Sequence, residues 1–356
     1  MRIIHCGDIH LDSKLESNLP TSKSRERKNE IIMSFCRMVD YANQNGVTAV
    51  IIAGDLFDTN KIVDTTRDKI IGKIRQNPEI EFLYLPGNHD AGKGLLQGEL
   101  PDNFKFFGNI WTSFSFGNVC VTGVELTDEN CRHIYGSLRL EFDRFNIVAM
   151  HGQLTSSSGE DMVNRNELAD KGIDYLALGH YHKYQQGALG QKGIWCYCGC
   201  LEGRGFDECD DKGFVVLDIA EDNTFTSQFV KNSSRDILEI KCDISGLSDT
   251  ADILKKIDAS VDGVSENAMV KVVLVGNTPA EARKDIDYFL KHLNEKFWFA
   301  KLYDKTRIEL HPEDYVNDIS LKGEFIRCVM ASDMSEELRN SVIECGLAAL
   351  GGREVL

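Results

Sequence analysis

At 356 residues the chain is long enough for two domains, and its 42% hydrophobic content supports a packed core and excludes a disordered chain. No apolar run reaches the roughly 18 residues needed to span a bilayer. The opening Met1-Arg2-Ile3-Ile4-His5 leaves no room for a signal peptide, so a cytoplasmic protein off the membrane is expected, with its eleven cysteines reduced. The formal net charge of −16 argues against unspecific nucleic-acid binding through a broadly basic surface.

The first half alternates strands and helices. Ile3–Cys6 is a short apolar strand. Residues Arg25–Asn45 predict a helix, because Ile31, Ile32, Phe35, Met38, Val39 and Ala42 recur at three- and four-residue spacing before Gly46. Val47–Ala53 is a β-branched buried strand. A second helix is expected over Thr65–Gln76 and a third strand over Glu81–Leu85. This βαβαβ start implies a parallel sheet with right-handed crossovers. The middle is richer in strands: Ile110–Phe116, Val119–Val124, Phe145–Met150, Tyr175–Leu178, Gly193–Cys198 and Gly213–Ile219. A layered α/β sandwich of two sheets flanked by helices accounts for this pattern.

Near Asn232–Arg235 the character changes. Strands are expected at Ile237–Cys242 and Val270–Val275, with helices over Thr250–Ala259 and Pro279–Lys296. Thr278-Pro279 has the form of a helix start, an N-cap residue followed by proline at N1. Helices over Leu321–Ala331 and Ser335–Leu350 complete the chain. The division expected is residues 1–234 and a second, α+β domain of residues 235–356. Phe297-Trp298-Phe299 reads first as core of that domain, with base stacking as the alternative.

Five motifs stand at the ends of strand-like runs: Asp8-Ile9-His10, Gly54-Asp55-Leu56-Phe57-Asp58, Gly87-Asn88-His89-Asp90, His151-Gly152 and Gly179-His180-Tyr181-His182. Open α/β sheets bind ligands beyond the carboxyl ends of their strands. Carboxylate, amide and imidazole are ligands for a divalent metal of hard to borderline character. Seven such ligands and one spare histidine suit two metals and a catalytic group, and two-metal sites cut phosphate esters. In Asp8-x-His10 and His180-x-His182 an extended chain would place both side chains on one face. Gly54, Gly87 and Gly179 precede ligands at what are expected to be tight turns.

These motifs resemble, in order and nearly completely, the calcineurin-like metallophosphoesterase superfamily. Asp8-Ile9-His10-Leu11-Asp12-Ser13 and the stretch Gly199–Glu208 look like its bacterial SbcD-like DNA-repair exonuclease branch. The resemblance implies a four-layer α/β/β/α sandwich over residues 1–234, followed by a small α+β capping domain over residues 235–356. It implies that Asp8, His10, Asp55 and His182 hold one metal, and that Asp55 bridges to a second completed by Asn88, His151 and His180. His89 would then act on the substrate, protonating the leaving oxygen or stabilising charge on the phosphoryl group, while a hydroxide shared by the metals attacks phosphorus in line. Manganese is the expected metal, with iron or zinc as alternatives. The implied partners are DNA, an SMC-like coiled-coil ATPase and a second copy of the chain.

Around this set, Asp58 and Asp90 either orient imidazoles or cap the following helix. Arg204 either contacts substrate phosphate or forms a structural salt bridge. Cys196, Cys198 and Cys200 lie at alternate positions, more consistent with core packing than with zinc. The function expected is a DNA exonuclease and single-strand endonuclease. The rivals are a phosphoesterase with a small nucleotide or other small phosphodiester, and a non-enzymatic protein that binds DNA ends or an ATPase.

Overall fold

A computed structural model describes residues 1–15, 19–58, 62–88, 99–279, 282–309, 315 and 317–350. It divides into two compact units, Met1–Asp236 and Ile237–Leu356. The first unit begins β1 (Arg2–Cys6), α1 (Thr21–Gln44), β2 (Ala49–Ala53), α2 (Asp64–Arg75) and β3 (Glu81–Leu85). It continues through β4 (Phe104–Phe106), β5 (Thr112–Phe116), β6 (Val119–Gly123), β7 (Phe145–His151), β8 (Gln153–Thr155) and β9 (Met162–Asn164). After α3 (Arg165–Leu168) come β10 (Tyr175–Gly179), β11 (Gln185–Leu189), β12 (Gly193–Tyr197), β13 (Gly213–Ile219) and β14 (Phe225–Lys231).

Two six-stranded sheets result, ordered β14-β13-β1-β2-β3-β4 and β11-β12-β10-β7-β6-β5. The central strands of each run parallel; β14, β11 and β5 close three of the edges as antiparallel partners, and β4 closes the fourth as a parallel one. Ile3, Ile51 and Leu83 from the first sheet pack against Phe145, Tyr175 and Ala177 from the second, forming the inner core. The outer face of the first sheet is covered by α1 and α2 through Phe35, Met38, Ile70 and Ile74. The outer face of the second is covered by less helix: a 3-10 turn at Ile134–Ser137 and the single turn of α3. The fold is an α/β sandwich of two sheets. Because the sheets stack with parallel strands at their centres, the carboxyl ends of β1, β2, β3, β7 and β10 each lead into one of the five motifs.

The second unit contains β15 (Ile237–Asp243), α4 (Thr250–Ser260), β16 (Met269–Val275), β17 (Asn277–Thr278), α5 (Ile286–Lys296), β18 (Phe299–Asp304), β19 (Arg307–Ile308), α6 (Leu321–Met330) and α7 (Glu336–Leu350). β15, β16 and β18 are parallel, and their core includes Ile253, Val272, Phe289 and Phe297. The helix expected from Pro279 begins instead at Ile286. Thr278 is drawn into β17, paired with Ile308 of β19, and Asp285 caps the helix by accepting from the Tyr288 amide. The Thr-Pro signal loses to strand pairing between residues far apart in sequence.

Candidate metal centre

The loops after β1 and β2 are joined by backbone hydrogen bonds. The amides of Asp8, His10 and Leu11 donate to the carbonyls of Gly54, Asp55 and Leu56, and Asp58 donates back to Leu11. Asp8, His10 and Asp55 hold φ of 47°, 50° and 48°, and His180 holds 109°. Non-glycine residues at positive φ are uncommon and gather at functional sites. The extended geometry expected for Asp8-x-His10 is therefore incorrect: two left-handed residues turn the chain, and the turn brings the side chains together. His180 and His182, by contrast, diverge. The His182 Nε2 lies 3.0 Å from that of His10, whereas the His180 ring stands edge-on to His151 with centroids 5.5 Å apart.

Two overlapping groups form, Asp8 with His10 and His182, and Asp8 with Asp55 and His151; within each, one ligand atom per residue lies within 4.8 Å of the others. Asn88 joins the second, its Oδ1 being 3.1 Å from His151 Nε2. The His180 amide donates to both oxygens of Asp8 at 2.9 Å. His89 and Asp90 lie outside the described residues.

The glycines before the ligands have a packing reason beyond turn geometry. A Cβ on Gly54 would stand 2.0 Å from His151 Nδ1, and one on Gly87 would stand 2.2 Å from Asp55 Oδ1. Ligand side chains occupy the volume that a side chain on either residue would need.

Three histidines share one arrangement. His10 Nδ1 faces Asp58 Oδ1 at 2.9 Å, His182 Nδ1 faces Glu208 Oε1 at 2.7 Å, and His151 Nδ1 faces the Ala53 carbonyl at 3.0 Å. A carboxylate or carbonyl can only accept, so each Nδ1 carries the hydrogen, and in the neutral ring each Nε2 is an acceptor. Arg204 Nη2 also lies 3.0 Å from His182 Nδ1, but a protonated Nδ1 cannot accept from it. The carboxylate is closer, and Arg204 bonds Glu208 itself at 2.9 Å. Arg204 thus takes the ion-pair role, bound to Glu208 and 3.6 Å from Asp58.

The inward-facing atoms are therefore imidazole lone pairs and carboxyl oxygens. His10 Nε2 and His151 Nε2 lie 3.7 and 3.5 Å from Asp55 Oδ2. Burial, and after it the charge of Asp55, pushes the Asp8 carboxyl well above the usual carboxylate range. Burial pushes the His10 and His180 imidazoles down, which keeps them neutral and able to donate a lone pair. Buried acceptors that converge in this way are costly unless a cation sits among them. Mixed oxygen and nitrogen donors fit a divalent metal.

Glu208 ends the Gly199–Glu208 stretch, whose sequence alone gives it no individual role. Only the approach of residues 204–208 to the His182 loop shows what it does. Cys196 and Cys198 are buried between the sheets, as core packing requires.

Residues 1–184 match the family model of calcineurin-like phosphoesterases, and the chain belongs to that family. It is a metal-dependent phosphoesterase, a hydrolase of phosphate ester bonds. It is 26% identical to the uncharacterized metallophosphoesterase YhaO of Bacillus subtilis, over 87% of this chain and 83% of that one. It is 24% identical to the DNA double-strand break repair protein Mre11 of Haloferax volcanii, over 98% of this chain and 75% of that one. It is 25% identical to a component of the nuclease SbcCD of Escherichia coli, over 61% of this chain and 64% of that one. A dimetal phosphatase from Danio rerio superposes with a TM-score of 0.45 at 10% identity, covering 65% of this chain and 96% of that one. No helix among the described residues is long and apolar enough to cross a membrane.

Proposed function

We propose that this protein is a two-metal phosphodiesterase acting on DNA, an exonuclease and single-strand endonuclease of DNA repair. The observation that carries the reading is the convergence of three imidazole acceptors on two buried carboxylates. The names of the Haloferax and Escherichia relatives support the extension to DNA, and the first of these matches runs through almost the whole chain.

In this reading Asp8, His10, Asp55 and His182 hold one cation, and Asp55, Asn88, His151 and His180 hold the other. When bound, such cations, manganese by preference and otherwise iron or zinc, supply positive charge that polarises a phosphoryl oxygen and acidifies water. Asp58, Glu208 and the Ala53 carbonyl hold His10, His182 and His151 in the tautomer that accepts at Nε2. Asn88 contributes a neutral amide oxygen, which leaves more of the site's positive charge for the substrate. His89 passes a proton to the leaving oxygen. Residues 1–234 are the nuclease domain and 235–356 the capping domain. The partners are an SMC-like ATPase and a second copy.

A second reading, a small phosphodiester substrate, is favoured by one observation. The cavity of about 210 Å³ bordered by Asn88 and His151 is also lined by Glu125, Glu160 and Asp161, which repel a polyanion. The test is a manganese-dependent assay on labelled single- and double-stranded DNA beside bis(p-nitrophenyl) phosphate. Cleavage of DNA supports the first reading. Hydrolysis of the small ester alone transfers support to the second. Metal-loaded protein that leaves every substrate intact, with and without the ATPase, overturns both.

A further inference from the structure

The metal cluster has a second neighbouring cavity, of about 530 Å³, and its lining differs from that of the acidic one. It has no carboxylate among its lining residues. Tyr181, Trp195 and Tyr197 supply three aromatic rings, and Arg165 supplies the one charge. The volume is within the range of small-molecule sites.

The cavity is tied to the metal centre at two points. Tyr181 stands between His180 and His182 in the chain, so its ring is carried by the same loop as two ligands. The Tyr197 hydroxyl donates to the Gly152 carbonyl at 2.9 Å and accepts from the Leu154 amide at 2.7 Å, which pins the segment that follows His151. The rings are ordered against one another. Tyr181 and Tyr197 meet edge to face with centroids 4.9 Å apart, and Trp195 and Tyr197 do so at 5.9 Å. Trp195 is backed by Gly187 of β11, its cross-strand partner, where a Cβ would stand 2.6 Å from the indole. Tyr181, one of the residues lining the cavity, is 38% exposed, so part of its side chain is open to solvent.

We propose that this cavity is a nucleobase subsite. The base of the nucleotide adjoining the scissile phosphate stacks on Tyr181 and Trp195, and Arg165 meets its sugar-phosphate. The proposal deepens the phosphodiesterase reading and rests on it. A flat, apolar, π-bearing ligand fits rings of this kind, and stacking on them is tolerant of base identity. Charge sets the direction of the substrate. The acidic cavity beside Asn88 disfavours a strand that the carboxylate-free cavity accepts.

The test is a binding measurement, so it stands whether or not the protein hydrolyses DNA. Manganese-loaded protein is titrated by calorimetry with deoxyadenosine 5′-monophosphate and with deoxyribose 5-phosphate, which lacks the base. The base is expected to improve affinity about tenfold, the size of one stacking contact. Tyr181→Ala and Trp195→Leu are each expected to remove most of that advantage. Tyr181→Phe, which keeps the ring, retains it. A single-stranded oligonucleotide, intact or abasic at its terminal residue, separates the two sources of the base. Weaker binding of the abasic form assigns the subsite to a strand end, and equal binding assigns it to a free nucleotide. Equal affinity of the wild type for the nucleotide and the sugar phosphate, binding of neither, or an advantage that survives both ring-removing variants overturns the proposal. Hydrolysis of bis(p-nitrophenyl) phosphate by the same preparation reports separately on the phosphodiesterase reading.

Discussion

Glu208 Oε1 lies 2.7 Å from Nδ1 of His182, and the opposite nitrogen of that ring lies 3.0 Å from Nε2 of His10. The carboxylate fixes the tautomer, and the tautomer turns two acceptors toward each other. Removing such an orienting carboxylate weakens metal binding by about 10–100-fold in metal sites generally. Glu208→Ala is therefore expected to lose manganese affinity by about that factor, with Glu208→Gln retaining more because its amide oxygen still accepts. Asp58→Ala acts in the same way on His10. Calorimetric titration with manganese measures each variant; unchanged affinity in Glu208→Ala would contradict the orienting role.

Gly87→Ala places a methyl 2.2 Å from Asp55 Oδ1, and Gly54→Ala places one 2.0 Å from His151 Nδ1. Overpacking of this kind costs about 1–3 kcal/mol. Gly54 adds a φ of 90° that an alanine rarely adopts. Both variants are expected to fold with a lowered melting temperature and to lose most hydrolysis. Thermal denaturation beside a bis(p-nitrophenyl) phosphate assay checks them, and a fully active Gly54→Ala would show that the loop relaxes.

Arg27 and Glu202 are both fully buried, and their charged atoms are 2.6 Å apart. Glu202 also accepts from the Ser234 amide at 2.6 Å, and Arg27 pairs with Glu30 at 2.6 Å. Removing Arg27 leaves the buried Glu202 carboxylate with only the more distant Arg37, at 3.4 Å, and breaking such a pair costs up to about 3–5 kcal/mol. Arg27→Met should lower the urea midpoint accordingly, and Arg27→Met with Glu202→Met should recover much of the loss. A double variant no more stable than the single one would refute the pair as the cause.

Burial lowers the His5 imidazole from 6.5 to about 3. The unfolded chain takes up this proton near 6.5 and the folded chain does not, so unfolding binds a proton between those values. Stability is then complete above about pH 6.5 and falls as pH drops towards 3, by at most about 1.4 kcal/mol per pH unit. His5→Asn removes this contribution. Urea melts across that range should show a shallower pH slope for the variant; equal slopes would mean that His5 is protonated in the fold.

His89→Ala is expected to keep manganese affinity while losing most hydrolysis, as befits a proton donor that is not a ligand. Metal titration and single-turnover cleavage separate the two effects. A variant that fails to bind metal would make His89 a ligand instead.

Much of the architecture was legible because its signals are local. The apolar runs of β1, β2, β3, β7 and β10 end within two residues of where the sequence places them, and each leads into its motif. Short strands such as β8, β9 and β11 were missed, since their pattern is shared with loops and only pairing makes them strands. Thr278-Pro279 misled for the same reason: a good local cap was overridden by β17–β19 pairing.

By itself, the sequence determined which side chains are available for the chemistry and that they follow strands, because both are properties of neighbouring residues. Tertiary structure alone decided how they converge. Left-handed turns at Asp8 and His10 replaced the extended chain expected there. Glu208, 26 residues from His182, set that ring's tautomer and drew Arg204 into an ion pair. Such effects depend on atoms a few ångströms apart on segments distant along the chain, and no spacing within a motif encodes that distance.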